Sequence, residues 1–154
     1  MEEGRGRLLP GAAAVKVLIC EDGSEYTDRF KRFLGGEFEF ARAAHFAEAL
    51  ALAPGAGALL LDLDFRRTDP ALLVDESGAP AAKSAAEVQG ILLLRALRSR
   101  GIALPALLFA DLDDAGRSAR LESELEPLQI VSSSESLQQI AQRLRSLLDE
   151  KGHR

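Results

Sequence analysis

Two pairs of acids at the ends of apolar runs offer this sequence its chemistry. Glu21 and Asp22 follow VKVLIC (Val15 to Cys20), and Asp62 and Asp64 stand at the end of ALLLDL (Ala58 to Leu63). A short, continuous apolar run bounded by turn signals reads as a buried strand. In an open parallel sheet, ligands bind in the crevice at the carboxyl ends of the strands, so acids delivered there are candidates for a site. A lone acid after a strand reads more simply as a loop cap. If the two strands are neighbours, however, all four carboxylates converge in one small volume. Like charges at that range raise one another's pKa or demand a cation. A hard divalent ion such as Mg²⁺ suits them, because it takes oxygen ligands octahedrally and keeps water and phosphate oxygens in its shell. Such an ion also prepares a site for phosphate chemistry.

The elements that must position these acids follow a regular rhythm. From Val15 onward, short apolar runs alternate with helix-length amphipathic segments, the signature of a parallel sheet covered by helices on both faces. Strands are expected over Val15 to Cys20, Phe38 to Ala41, Ala58 to Leu63, Ala106 to Phe109 and Gln129 to Val131. Helices are expected over Ser24 to Leu34, His45 to Ala53, Ala85 to Arg100, Ala115 to Leu125 and Ser136 to Lys151. LGG ends the first helix, and RSRG places cations and then Gly101 at the end of the third. Asp113 or Asp114 caps the fourth, and SSSES offers caps to the fifth. Leu137, Ile140, Leu144 and Leu148 recur at helical spacing and make one apolar stripe. One segment breaks the rhythm: Arg66 to Ser84 has no clear period and is long for a strand-to-helix loop. Its PALLV carries apolar residues that a loop has little reason to expose, which makes it a candidate docking surface.

Composition bounds the function. A chain of 154 residues with 47% apolar content is a single domain with a substantial core. A net charge of −5 without a Lys/Arg-rich block argues against a nucleic-acid surface. No apolar run approaches the roughly 18 residues that span a bilayer, so no membrane partner is expected. Residues 1–14 hold early acids and Pro10, make a poor secretory signal and read as a flexible tail; 152–154 read as a second tail. Cys20 has no partner for an internal disulfide and reads as a small buried hydrophobe, which suits a reducing cytoplasm.

With these residues in place, the chain resembles the receiver domains of bacterial two-component response regulators, from about Val15 to Leu148. VKVLICEDGSEYTDRFKRFL resembles the first strand, acidic pair and first helix of a receiver. EFEFARAAHFAEALALAPGAGALLLDLD is similar to the second unit and the phosphoacceptor strand, and VQGILLLRALRSRGIALPALLFAD to the third helix and fourth strand. The resemblance implies a flavodoxin-like (βα)5 domain over 15–151. Its doubly wound five-stranded parallel sheet would have the order 2-1-3-4-5, with a long loop insertion, 66–84, after the third strand. It further implies that Glu21 and Asp22 are the metal-binding acidic pair and that Asp62 accepts a phosphoryl group as nucleophile. Asp64 sits where the family uses a main-chain carbonyl as metal ligand. Two family features are missing. The Thr or Ser that grips the phosphoryl oxygens is replaced by Ala110, whose methyl offers no hydrogen bond, and the pairing Lys by Ser132, followed by Ser133. Phosphoryl transfer is mostly positioning and electrostatic stabilisation, and both are weakened by these replacements. Arg66, Arg67 and Lys83 are candidates to compensate, either as the missing cation or by closing the pocket.

The expected function is therefore a stand-alone, degenerate receiver-like module that works through protein contacts and is not an enzyme beyond slow self-phosphorylation and dephosphorylation. Its expected partners are a histidine kinase or a downstream signalling protein. A homodimer through the fourth and fifth helices is the further possibility, using Arg117, Arg120, Glu122, Glu124, Arg143, Arg145 and Glu150. The alternative is a conventional single-domain response regulator phosphorylated on Asp62 with Mg²⁺. A small Mg²⁺-dependent phosphate enzyme lacks support, since no Gly-rich phosphate loop or general base stands at a strand end. His45 and His153 offer no catalytic pairing.

Overall fold

In the computed structural model, residues 14–152 are described. The strands are β1 (Val15–Cys20), β2 (Phe38–Ala43), β3 (Ala58–Asp62), β4 (Ala106–Phe109) and β5 (Leu128–Val131). The helices are α1 (Glu25–Leu34), α2 (Phe46–Leu52), α3 (Gln89–Ser99), α4 (Ala115–Glu124) and α5 (Leu137–Gly152). All strand pairs are parallel, in the order β2-β1-β3-β4-β5. This is the doubly wound arrangement expected from the sequence, and it makes β1 and β3 neighbours, with Cys20 opposite Leu61.

Period-2 alternation divides the sheet between two cores. Leu18, Cys20, Leu59, Leu61, Ala106 and Leu108 face α2, α3 and α4. Val17, Ile19, Phe40, Leu60, Leu107 and Phe109 face α1 and α5, where Phe30, Ile140 and Leu144 are buried. The expected stripe of the last helix meets this core, with Leu137 and Leu148 partly buried at its margin.

Helix ends follow the local chemistry. Asp114 accepts from the N–H groups of Gly116 and Arg117, and Ser136 and Gln139 bond reciprocally as a capping box. Gly101, at φ 81°, lets Ile102 N–H return to Leu97 O and close α3.

Several boundaries differ from expectation, most of them by a single residue. β2 continues to Ala43 because its pairing with β1 runs on through Arg42 and Ala43. The segment expected to begin the third helix is a 3-10 turn over Lys83–Val88, and α3 starts at Gln89. At the carboxyl end, α5 takes in Gly152, while 1–13, His153 and Arg154 lie outside the described residues.

The insertion has its own order. A 3-10 turn over Pro70–Leu72 leads to an antiparallel bridge between Val74 and Pro80. The intervening turn is held by the Asp75 carboxylate, which accepts from Ser77 N–H, Ser77 Oγ and Ala79 N–H. The buried Gln89 side chain accepts from Val74 N–H and donates to Val74 O, both at 2.9 Å. Of PALLV, Leu73 and Val74 are buried in the α2–α4 core, and Leu72 remains 42% exposed. Two of the five residues of the docking surface expected there are therefore turned inward, while Pro70, Ala71 and Leu72 stay exposed. No helix among the described residues is long and apolar enough to cross a membrane.

Candidate functional site

Parallel pairing of β1 with β3 delivers Glu21, Asp22 and Asp62 to one end of the sheet. What becomes of each carboxylate is decided by its nearest donors. Glu21 is 1% exposed and turns back onto the first turn of α1. Its Oε1 accepts from Tyr26 N–H at 3.2 Å, and its Oε2 from Thr27 N–H at 2.8 Å and Thr27 Oγ1 at 2.7 Å. The first N–H groups of a helix have no partner inside it, and the helix dipole favours an anion there. Ser24, in the cap position, makes no capping bond and donates to Asp28 instead. Glu21 thus does the capping.

Asp22 faces the root of the insertion. Its Oδ2 accepts from Arg67 N–H at 2.8 Å, and its Oδ1 from Arg67 Nη2 at 3.3 Å. The same guanidinium bonds Glu25 through both nitrogens, and these bonds are the main cause that drives the Glu25 carboxyl down to about 2. Arg42 Nη2 donates to the main-chain carbonyl of Asp22. Asp64 is closed on itself: Arg66 N–H binds Oδ1 at 2.8 Å, and Arg66 Nε lies 3.1 Å from Oδ2.

Asp62 is left with one committed oxygen, Oδ1, which accepts from Leu63 N–H at 2.9 Å. Burial raises its pKa from 3.8 to about 6 against that bond, and the charges of Asp22, Glu21 and Asp64 add to the rise. No cation among the described residues offsets this. The position of Asp62 is fixed from behind by Gly90, where a Cβ would fall 2.1 Å from the Asp62 carbonyl oxygen. Beside it, Tyr26 stacks on Phe109, with ring centroids 4.7 Å apart and planes 10° from parallel. Burial pushes the Tyr26 phenol up to about 12, and the charges of Asp62, Glu21 and Asp111 push it further in the same direction.

The two replaced positions are also accounted for. Ala110 is buried and donates its N–H to Val131 O. Ser132 Oγ donates to Asp111 Oδ1 at 2.9 Å, and Ser133 gives both its N–H and its Oγ to Asp111. Asp111 thereby holds the hydroxyls at the position where the resemblance places a receiver's lysine, Ser132, and at the one after it, Ser133. These bonds draw the Asp111 carboxyl below the usual carboxylate range.

As arranged, these residues do not fit a divalent ion. Both oxygens of Glu21, Asp22 and Asp64 are held by protein donors, leaving Asp62 Oδ2 as the one open oxygen of the four side chains. No group of three or more His, Cys, Asp or Glu among the described residues is arranged to hold a metal. Of the two candidate compensating arginines, Arg67 reaches Asp22 and Arg66 reaches Asp64. Lys83 lines a separate cleft of about 610 Å³ with Arg66, Thr68 and Glu87.

Several contributors are invisible to spacing along the chain. Thr27 stands six residues after Glu21, a spacing that ties an acid after a strand to the first turn of the next helix. The Arg67 contact with Glu25 spans 42 residues, and nothing local signals it.

The fold matches solved receiver domains. The Francisella response regulator 1452 receiver domain superposes with a TM-score of 0.66 at 18% identity, covering 89% of this chain and 98% of that one. A CheY-like response regulator receiver domain protein from Methanospirillum hungatei gives 0.63 at 17% identity, over 92% and 98%. A response regulator receiver domain protein from Clostridium thermocellum gives 0.64 at 13% identity, over 90% and 97%. No family model and no curated protein matches the sequence. At these identities the likeness establishes the fold alone: this chain has the receiver-domain fold.

Proposed function

We propose that this receiver-fold protein is a signalling module that acts by protein–protein contact, with weak or no phosphorylation of Asp62. The carrying observation is the surroundings of Asp62: a methyl at Ala110, and at Ser132 and Ser133 hydroxyls already donated to Asp111, with no cation facing the carboxylate. A phosphoryl group placed there would meet carboxylates where phosphoryl transfer needs positive charge. The partners are a histidine kinase or a downstream signalling protein, in a reducing compartment suited to the buried Cys20, whose thiol is pushed up to about 12 by burial.

The homodimer reading is weakened by where the charges go. Glu124 pairs with Arg95, Arg143 with Glu135, Arg145 with Glu37, and Glu122 accepts from Ile130 N–H, all within the chain. The conventional alternative, phosphorylation of Asp62 with Mg²⁺, is favoured by the open Oδ2 at a strand end. Incubation with acetyl phosphate, read by intact mass spectrometry, separates the two. The expected result is little or no phosphoryl adduct. A near-stoichiometric adduct that disappears in Asp62→Asn overturns the proposal.

A further inference from the structure

The guanidinium of Arg67 is held by two carboxylates over bare main chain. Its Nη2 lies 3.3 Å from Asp22 Oδ1 and 3.0 Å from Glu25 Oε1, and its Nη1 lies 2.9 Å from Glu25 Oε2. Its own N–H takes the remaining oxygen of Asp22. Beneath the fork lies Gly23. A Cβ built there would fall 2.3 Å from Nη2 and 2.2 Å from Glu25 Oε1, so a side chain would push the fork out. The Asp22 side chain is 5% exposed and that of Arg67 62%, so the arginine covers the acid from the solvent side.

We propose that Arg67 is the resident cation of the acidic site, a covalently attached substitute for the divalent ion that such carboxylates recruit, seated on Asp22, Glu25 and the bare Gly23. A planar fork suits this task, because it bridges two carboxylates in fixed geometry. A group tethered by a short linker acts at an effective concentration in the millimolar range, and it loses no translational freedom on docking. The site therefore takes no divalent ion while the fork is seated. This inference is independent of whether Asp62 accepts phosphate, and its test contains no phosphodonor.

The probe is Mn²⁺, followed by paramagnetic broadening of amide resonances in wild type, Arg67→Gln and Gly23→Ala. The glutamine removes the charge and keeps the main-chain bond to Asp22. The alanine removes no charge and acts by displacing the fork together with the Glu25 carboxylate that holds it. At about 1 mM ion, the concentration scale of a tethered competitor, the Gly23 and Leu63 amides should stay sharp in wild type. The amides of residue 23 and Leu63 should broaden in both variants. Mg²⁺ should raise the Tm of both variants by about 2–4 °C and leave that of wild type unchanged. Adding Asp22→Asn to Arg67→Gln should abolish the gain. Broadening in wild type, or sharp amides in both folded variants, overturns the proposal. A gain in Arg67→Gln but not in Gly23→Ala overturns the part assigned to Gly23. Circular dichroism identifies a variant that fails to fold, in which case the other decides.

Discussion

Asp62 carries an electrostatic cost that a neutral isostere removes. Its raised pKa, about 6 against 3.8, means that the fold disfavours its ionised form. Below the lower value the carboxyl is protonated in both folded and unfolded chains, and there is no penalty. Stability is lost as pH rises through the window between the two values, and the loss is complete above the upper one. A shift of this size corresponds to about 3 kcal/mol when fully expressed, and partial exposure reduces it to about 1–2 kcal/mol. Asp62→Asn keeps an oxygen for Leu63 N–H and should stabilise the protein by that amount in urea titrations at pH 7.5. At pH 3.5 it should have no effect; equal stabilisation at both values would refute the assignment. Behind the same residue, Gly90→Ala should cost about 2–3 kcal/mol by overpacking against the Asp62 carbonyl, and an unchanged urea midpoint would show that α3 yields there. The identities of the strand-end acids were legible in the sequence, because apolar runs end visibly. Arg66 and Arg67 were named as candidate cations, but which acid each one meets was not legible, since the contact between Arg67 and Asp22 depends on backbone directions set by tertiary packing.

At the scale of elements, the insertion is held by a side chain acting as a strand. Gln89 bonds both the N–H and the carbonyl of Val74, so Gln89→Leu leaves two buried backbone groups unsatisfied. The expected loss is about 2–3 kcal/mol, with faster proteolysis between Thr68 and Ser84 than in wild type. Cleavage unchanged in rate would mean that the apolar contacts of Leu73 and Val74 suffice. Apolar periodicity revealed the strands and helices because each buries one stripe or one run. It could not reveal the order inside 66–84, where the contacts are single residues without a period: Leu73 and Val74 inward, Asp75 closing its own turn, Gln89 reaching back. The helical pattern read from Ala85 likewise begins four residues early, since Lys83–Val88 form a tighter 3-10 turn before Gly90 docks on the end of β3.

Across the whole molecule, the sheet presents two open edges, β2 and β5, and an open edge invites pairing with another chain. On the β5 side, the Glu122 carboxylate occupies the N–H of Ile130 at 2.8 Å. Glu122→Ala should therefore lower stability by about 1 kcal/mol and make sedimentation more concentration-dependent than in wild type. No change in either would mean that the β5 edge is guarded by something other than this carboxylate. The sequence has one tyrosine and no tryptophan, and that tyrosine, Tyr26, lies stacked on Phe109 within the field of Asp62, Glu21 and Asp111. The ultraviolet emission of the intact protein thus originates at a single place, beside the strand-end acids. Any event there, whether proton uptake by Asp62, departure of the Arg67 fork or arrival of a partner over α1, can be followed by intrinsic fluorescence without attaching a dye.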